Sequence, residues 1–243
     1  MTDKTAQKTQ GRPADRCIMV IFGASGDLTT RKLLPALYNL GRNDLLSREF
    51  AILGFAKDEI SEEDFRKRVR DNIVEYAGTP IDCELCDWIA DHSYYMTGDF
   101  KNAADYVKLK DKVAELTERH HTSGNVFYYL ATLPQFFSEI IRQLGEQGLA
   151  AEENEHWRRV IIEKPFGSDL ESARFSKRIR STGSTITSVR KRSRTSSYFV
   201  FRTGSLSRSG TAVTSIMCRS PSPKRSAWSG AAGITTAPVV CAI

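Results

Sequence analysis

The chain has 243 residues, is 40% hydrophobic and 26% charged, and carries a formal net charge of +6, enough material for one large or two small cored domains. No run is long and apolar enough to span a membrane, and residues 1–16 are polar, of both charge signs, without the apolar stretch of a secretory signal. Five cysteines at irregular spacing suggest free thiols in a reducing, cytoplasmic setting.

The chain opens with a polar stretch, 1–15, expected to be flexible. Cys17 to Phe22 then reads as a short strand, apolar on both faces and so covered on both. It runs into Gly23-Ala-Ser-Gly26, and Thr29 to Leu40 follows as an amphipathic helix with Leu33, Leu34, Leu37, Tyr38 and Leu40 near one face. Pro35 predicts a kink or split in that helix, because it lacks an N–H. Gly23 and Gly26 are expected to bring backbone N–H groups close to whatever sits above the turn, and the helix N-terminus adds partial positive charge. Together they predict an anion site, most naturally for a pyrophosphate. The spacing G-x-x-G is less specific than the full G-x-G-x-x-G, and an ordinary tight strand-to-helix turn has the same pattern.

Glu49 to Phe55 reads as a second strand and completes a βαβ unit. An acid at the end of such a strand holds a ribose 2′-hydroxyl. Here the first charged residue is Lys57, a cation suited to a 2′-phosphate, which favours NADP over NAD; Asp58 follows at once.

Glu62 to Ala77 is predicted as an amphipathic helix capped by Ser61, with Phe65, Val69, Ile73 and Tyr76 as its apolar set. Cys83 and Cys86 form the only C-x-x-C; no second pair closes a zinc site, and the acidic helical setting does not activate a thiol. Tyr94 to Phe100 reads as a strand and turn, Ala103 to His121 as a charged helix ending in a solvated His120-His121, and Asn125 to Ala131 as a buried strand. Pro134 to Leu149 is a helix, Arg159 to Gly167 a strand and turn, and Asp169 starts a further helix. Strands alternating with helices predict an α/β Rossmann-like, doubly wound parallel sheet over residues 16–174. Ligands of such sheets sit beyond the C-terminal strand ends, here Gly23–Gly26, Lys57, Ala131–Thr132 and Glu163–Gly167. In the last of these, Lys164 can reach a phosphate or sugar hydroxyl, Glu163 can orient it, and a cis bond at Pro165 would aim it inward.

Residues 175–243 hold 12 of the 35 Lys and Arg and none of the 29 Asp and Glu, so this part is +12 and the rest, with 23 basic against 29 acidic residues, is −6. This Ser/Thr/Arg-rich tail has one leucine, Leu206, and is predicted to be disordered for want of a core. Its arginines could contact nucleic-acid phosphates nonspecifically, but without ordered aromatic interleaving nothing points to specific nucleic-acid recognition.

Two motifs, F-G-A-S-G-D-L-T-T-R-K-L-L-P-A-L-Y-N-L and I-E-K-P-F-G-S-D-L-E-S-A, resemble glucose-6-phosphate dehydrogenase. G-F-A-K-D-E-I-S-E-E-D-F-R, Y-M-T-G-D-F and N-V-F-Y-Y-L-A-T-L-P fit the same family in the same order, over roughly residues 16–174. The resemblance implies NADP-linked oxidation of glucose 6-phosphate to 6-phosphogluconolactone, the opening step of the pentose phosphate pathway, by a cytoplasmic homo-oligomer. It implies that Gly23, Ala24, Ser25, Gly26, Asp27, Leu28 and Arg31 hold the cofactor pyrophosphate, and that Lys57 replaces a 2′-phosphate-binding arginine. A lysine lacks that residue's bidentate fork. It places Ala131 near the nicotinamide and Lys164 against substrate and cofactor, with Pro165 cis. Leu133 stands where the family has the first proline of A-x-P-P.

The resemblance then breaks. The family's R-I-D-H-Y-L-G-K-E-T-V-Q-N-I-L, whose histidine and lysine bind the sugar phosphate, is absent, as is the later segment bearing the histidine base. Codons for that fifteen-residue motif, shifted by one nucleotide, permit Gly183 to Ser197 residue for residue. The expectation is therefore a cofactor-binding domain followed by out-of-frame text from near Phe175, lacking the family's large β+α substrate and dimerisation domain, with no catalytic base. The alternative is a genuine basic tail.

Overall fold

A computed structural model describes residues 13–152 and 156–163, together with three strand segments at 185–189, 201–207 and 210–214. The order is β1 (Cys17–Phe22), a π-helical turn (Thr29–Leu33) leading into α1 (Leu34–Arg42), β2 (Phe50–Ala56), α2 (Glu62–Tyr76), α3 (Cys83–Asp91), β3 (Ser93–Thr97), α4 (Ala103–His120), β4 (Val126–Leu130), α5 (Phe137–Glu146) and β5 (Arg158–Glu163). Three further strands follow: β6 (Thr185–Val189), β7 (Phe201–Ser207) and β8 (Gly210–Thr214).

All eight strands form one sheet in the order β3-β2-β1-β4-β5-β6-β7-β8. Pairing is parallel from β3 through β6 and antiparallel from β6 to β8. Strand order reverses between β1 and β4, which puts the topological switch point above their C-terminal ends.

Successive residues of β1 feed two cores, as a strand covered on both faces requires. Ile18, Val20 and Phe22 pack with Tyr106, Leu109 and Val113 of α4 and Ile140 and Leu144 of α5. Cys17, Met19 and Ile21 pack with Leu37 and Tyr38 of α1, Phe65 and Val69 of α2 and Ile89 of α3. Phe22, immediately before the glycine turn, sits edge-on to Phe55 with ring centroids 5.3 Å apart, and Phe55 lies 5.8 Å from Tyr106. These buried rings give the turn a rigid floor; truncating one to Ala costs about 3–5 kcal/mol.

The start of α2 follows the predicted chemistry: the Ser61 hydroxyl accepts the Asp64 N–H at 3.0 Å. The Asp82 carboxylate does the same for α3, accepting the Leu85 N–H at 3.1 Å, a cap the sequence reading did not single out. Pro35 splits its helix as expected: it sits in the first turn of α1, directly after the π-helical turn. The wide turn releases the carbonyl that a proline cannot serve.

One expectation needs correction. His120 is not a solvated terminus: its Nε2 lies 2.8 Å from the Tyr94 hydroxyl and its ring packs 4.8 Å from His92, while His121, in the left-handed conformation (φ 52°), ends the helix. Within residues 175–243 only the segments β6, β7 and β8 are described, and they continue the sheet beyond β5. Thr185-Ile-Thr-Ser-Val189 is β-branched at four of five positions, which suits a strand. The other residues of 175–243, the helix expected from Asp169 and residues 1–12 lie outside the described residues.

Candidate functional site

Gly23 ends β1 with φ +83°, and a Cβ built there would stand 2.7 Å from the Ala131 carbonyl oxygen and 3.0 Å from Thr132 Cγ2. Only glycine fits this conformation and approach. The turn after β1 and the end of β4 are thus pressed together at the switch point, bringing Gly23 and Ala131 side by side. The Ala131 N–H donates to Phe22 O at 2.9 Å and continues the ladder to this point.

The donors at the turn are not those expected. The Gly23 N–H donates to Phe55 O at 2.8 Å and the Gly26 N–H to Gly23 O at 3.0 Å, so both are used in holding the turn. Among the described residues, the N–H groups of Ala24, Ser25, Asp27 and Leu28 have no acceptor. The two glycines shape the cradle, and their neighbours supply the donors an anion would meet. Thr29 Oγ1 reaches Gly23 O at 3.3 Å and closes the loop from behind.

The two cations singled out in the sequence are both engaged. Arg31 Nε lies 2.5 Å from Asp27 Oδ1, with its guanidinium 5.5 Å above the Tyr76 ring. Lys57 Nζ lies 2.9 Å from Asp99 Oδ2, in a pair exposed on both sides. The Lys101 N–H, followed by the Lys57 ammonium, holds the Asp99 carboxyl below the usual carboxylate range. Tyr95 Oη and Thr97 Oγ1 donate to Asp58 O at 2.8 and 3.2 Å and pin the loop that carries Lys57.

Sequence reasoning missed two residues here. Asp99 stands in the quoted Y-M-T-G-D-F motif, but its pairing with Lys57 depends on β2 and β3 lying side by side. Gly54, inside β2, would place a Cβ 2.8 Å from Ala24 Cβ and 2.9 Å from Phe65 Cζ, so it admits the turn and α2 to close contact. A glycine interrupting an apolar strand was the available signal.

β5 ends at Glu163, beside β4, whose end carries Ala131. Lys164 and Pro165, assigned to substrate and cofactor and to a cis bond, lie outside the described residues. Cys83 is exposed and Cys86 buried on α3, with the Cys86 thiol pushed up by burial, as expected of an unreactive pair. Among the described residues there is no metal-binding cluster of His, Cys, Asp and Glu, and no helix long and apolar enough to cross a membrane.

A parallel sheet of order 3-2-1-4-5-6, with a glycine turn and free N–H donors at its switch point, defines a dinucleotide-binding Rossmann domain. Residues 20–182 match the family model for the glucose-6-phosphate dehydrogenase NAD binding domain. The chain is 43% identical over 160 residues to a glucose-6-phosphate 1-dehydrogenase of Aggregatibacter actinomycetemcomitans, covering 66% of this chain and 32% of that protein. It is 42% identical over 166 residues to one of Chlamydia pneumoniae, covering 67% and 32%. A solved glucose-6-phosphate dehydrogenase in complex with glucose 6-phosphate superimposes with a TM-score of 0.61 at 26% identity, over 74% of this chain and 37% of that one. The enzyme of Mycobacterium avium superimposes with a TM-score of 0.58 at 32% identity, over 73% and 36%. The chain belongs to the glucose-6-phosphate dehydrogenase family through its nicotinamide-cofactor domain, and spans about a third of the length of the curated relatives it matches.

Proposed function

We propose that this chain binds NADP as the cofactor domain of a glucose-6-phosphate dehydrogenase and does not itself turn over the sugar. The observation that carries the reading is the close approach of Gly23 to the Ala131 carbonyl, beside N–H groups left without acceptors. That cradle suits a pyrophosphate: Gly23 holds the turn against the end of β4, and the N–H groups of Ala24, Ser25, Asp27 and Leu28 are not spent on other backbone bonds. Gly26 and Arg31 complete the segment that holds it, Lys57 lies toward the ribose 2′ position, Ala131 lies toward the nicotinamide, and Lys164 lies toward both cofactor and sugar. When bound, the cofactor accepts a hydride from C1 of glucose 6-phosphate, giving 6-phosphogluconolactone, in the cytoplasmic pentose phosphate pathway.

Turnover also needs a base for the C1 hydroxyl proton, a contribution of about 10²–10⁴-fold. The family's base histidine and its sugar-phosphate motif are absent from this sequence. The family match ends at residue 182, and the fifteen residues that fit codons shifted by one nucleotide begin at Gly183. We read residues from about 175 onward as out-of-frame text behind a cofactor domain at 16–174. The test is NADPH formation from glucose 6-phosphate by the 243-residue chain and by its frame-restored counterpart. Only the restored protein is expected to turn over; activity of the 243-residue chain within tenfold of it contradicts the reading.

A further inference from the structure

A pocket of about 330 Å³ opens between the end of α1 and the start of α3. Arg42 and Asp44 line it from the end of α1, Arg48 from the loop before β2 and Asp82 from the start of α3, over an apolar floor of Ile81 and Leu85. Small-molecule sites have this make-up, a few polar groups around an apolar body, and volumes of about 300–1,000 Å³. The nine residues of α1 separate it from the glycine turn by about 13 Å along the helix axis, so it is no part of the cofactor cradle.

The walls are held in place by the fold. Tyr38, fully buried on α1, accepts the Asp82 N–H on its hydroxyl at 2.6 Å, and Asp82 Oδ1 accepts the Leu85 N–H. Gly41 lets Leu85 lie against α1, since a Cβ there would stand 2.9 Å from Leu85 Cδ1. Beyond the helix end, the Asn43 amide donates to Asn39 O at 2.6 Å, and Asp44, in the left-handed conformation (φ 57°), donates its N–H to Gly41 O at 3.1 Å. A ligand would therefore meet a formed recess and spend little on ordering it.

Four charged side chains gather here without neutralising one another. Arg66 and Arg70 on α2 pair with Glu62 and Asp87, and Arg16 pairs with Glu49. Among the described residues Arg42, Asp44, Arg48 and Asp82 are in no ion pair. Arg48 rests instead on Trp88, its guanidinium 5.6 Å from the ring centroid, a contact that orients the group and leaves its N–H fork for a carboxylate. Asp44 stands just past the C-terminus of α1, where the last carbonyls add partial negative charge and favour a cation. A simple anion would meet the arginines but also Asp44, and a simple cation would meet Asp44 but also the arginines. A molecule carrying both charges on an apolar body satisfies the two sides and covers Ile81 and Leu85.

We infer that this pocket is a second ligand site, for a small zwitterion of the α-amino-acid class with an apolar side chain, its carboxylate on Arg48 beside Arg42 and its ammonium on Asp44. The inference stands apart from the dinucleotide reading.

The test titrates the full chain with L-leucine and with three probes that each lack one feature: isocaproate has no ammonium, isoamylamine no carboxylate, and glycine no apolar body. Calorimetry and ligand-observed NMR are expected to show one saturable leucine site per chain, unchanged by saturating NADP, with each of the other probes at least tenfold weaker. Arg48→Ala is expected to weaken leucine at least tenfold. Asp44→Asn is expected to weaken leucine about fivefold or more and to leave isocaproate no weaker. Both substitutions fall on exposed side chains, and thermal unfolding checks that the fold is kept. Lys67→Ala, which removes a cation outside the pocket, is expected to change nothing. Isocaproate binding as tightly as leucine, leucine binding indifferent to both substitutions, or no saturable binding of leucine overturns the inference.

Discussion

The ammonium of Lys57, just past the end of β2, lies 2.9 Å from the carboxylate of Asp99, which follows β3. The pair sits at the strand end where a ribose would lie, and both partners are largely exposed. Exposed pairs of this kind contribute about 0–1 kcal/mol, so Lys57 is restrained by Asp99 and not locked. Replacing Asp99 with Asn removes a negative charge from the approach to the cleft. Adenosine 2′,5′-bisphosphate is then expected to bind about three- to tenfold more tightly, and more so at low salt. Titrations of the two proteins at two salt concentrations check this; unchanged affinity would mean that Asp99 does not oppose the phosphoryl group.

Gly23→Ala probes the turn itself. The new methyl would stand 2.7 Å from the Ala131 carbonyl in a backbone of φ +83°. Combined overpacking and strain predict a loss of about 2–4 kcal/mol. Thermal or urea unfolding measures it, and dinucleotide binding should fall in parallel because the cradle is displaced. A variant as stable as the parent would show that the turn yields without strain.

The start of β3, at the other end of the strand from Asp99, carries a pH dependence. Burial, then His92, Arg119 and His121, push His120 down to about 4. Tyr94 bonds its Nε2, while Arg66, Lys112 and Arg119 lie against the Tyr94 ring, with Glu115 pairing to Lys112 and Arg119. Between about pH 6.5 and 4 the unfolded chain takes up a proton that the folded ring refuses, so stability falls as pH drops through this window. Because the ring is partly exposed, about 1 kcal/mol is expected. The gap between urea midpoints at pH 7.5 and 5 should be smaller in His120→Gln than in the parent chain. Equal pH dependence in both proteins would place the effect elsewhere.

Local rules made much of this fold legible. Cys17–Phe22 is apolar throughout and had to be buried on both faces; Ser61 is a cap; Pro35 had to interrupt the regular helix. The glycine turn was readable as a tight strand-to-helix turn with room for an anion; its pressing against the Ala131 carbonyl depends on β1 and β4 lying side by side. What escaped depended on partners distant in sequence. Asp99 meets Lys57 only because β2 and β3 are parallel neighbours. Gly26 looks like an open donor until Gly23 O takes its N–H. His120 looks like a solvated helix end until Tyr94 and His92 close on it.

The most direct measurement is a calorimetric titration of the 243-residue chain with NADP and with NAD at one salt concentration. One site per chain is expected, with NADP bound at least tenfold more tightly, since the first charged residue past the end of β2 is the cation Lys57, whose pair with Asp99 is exposed and gives way to a phosphoryl group. Equal affinities, or no binding of either dinucleotide, would contradict the account.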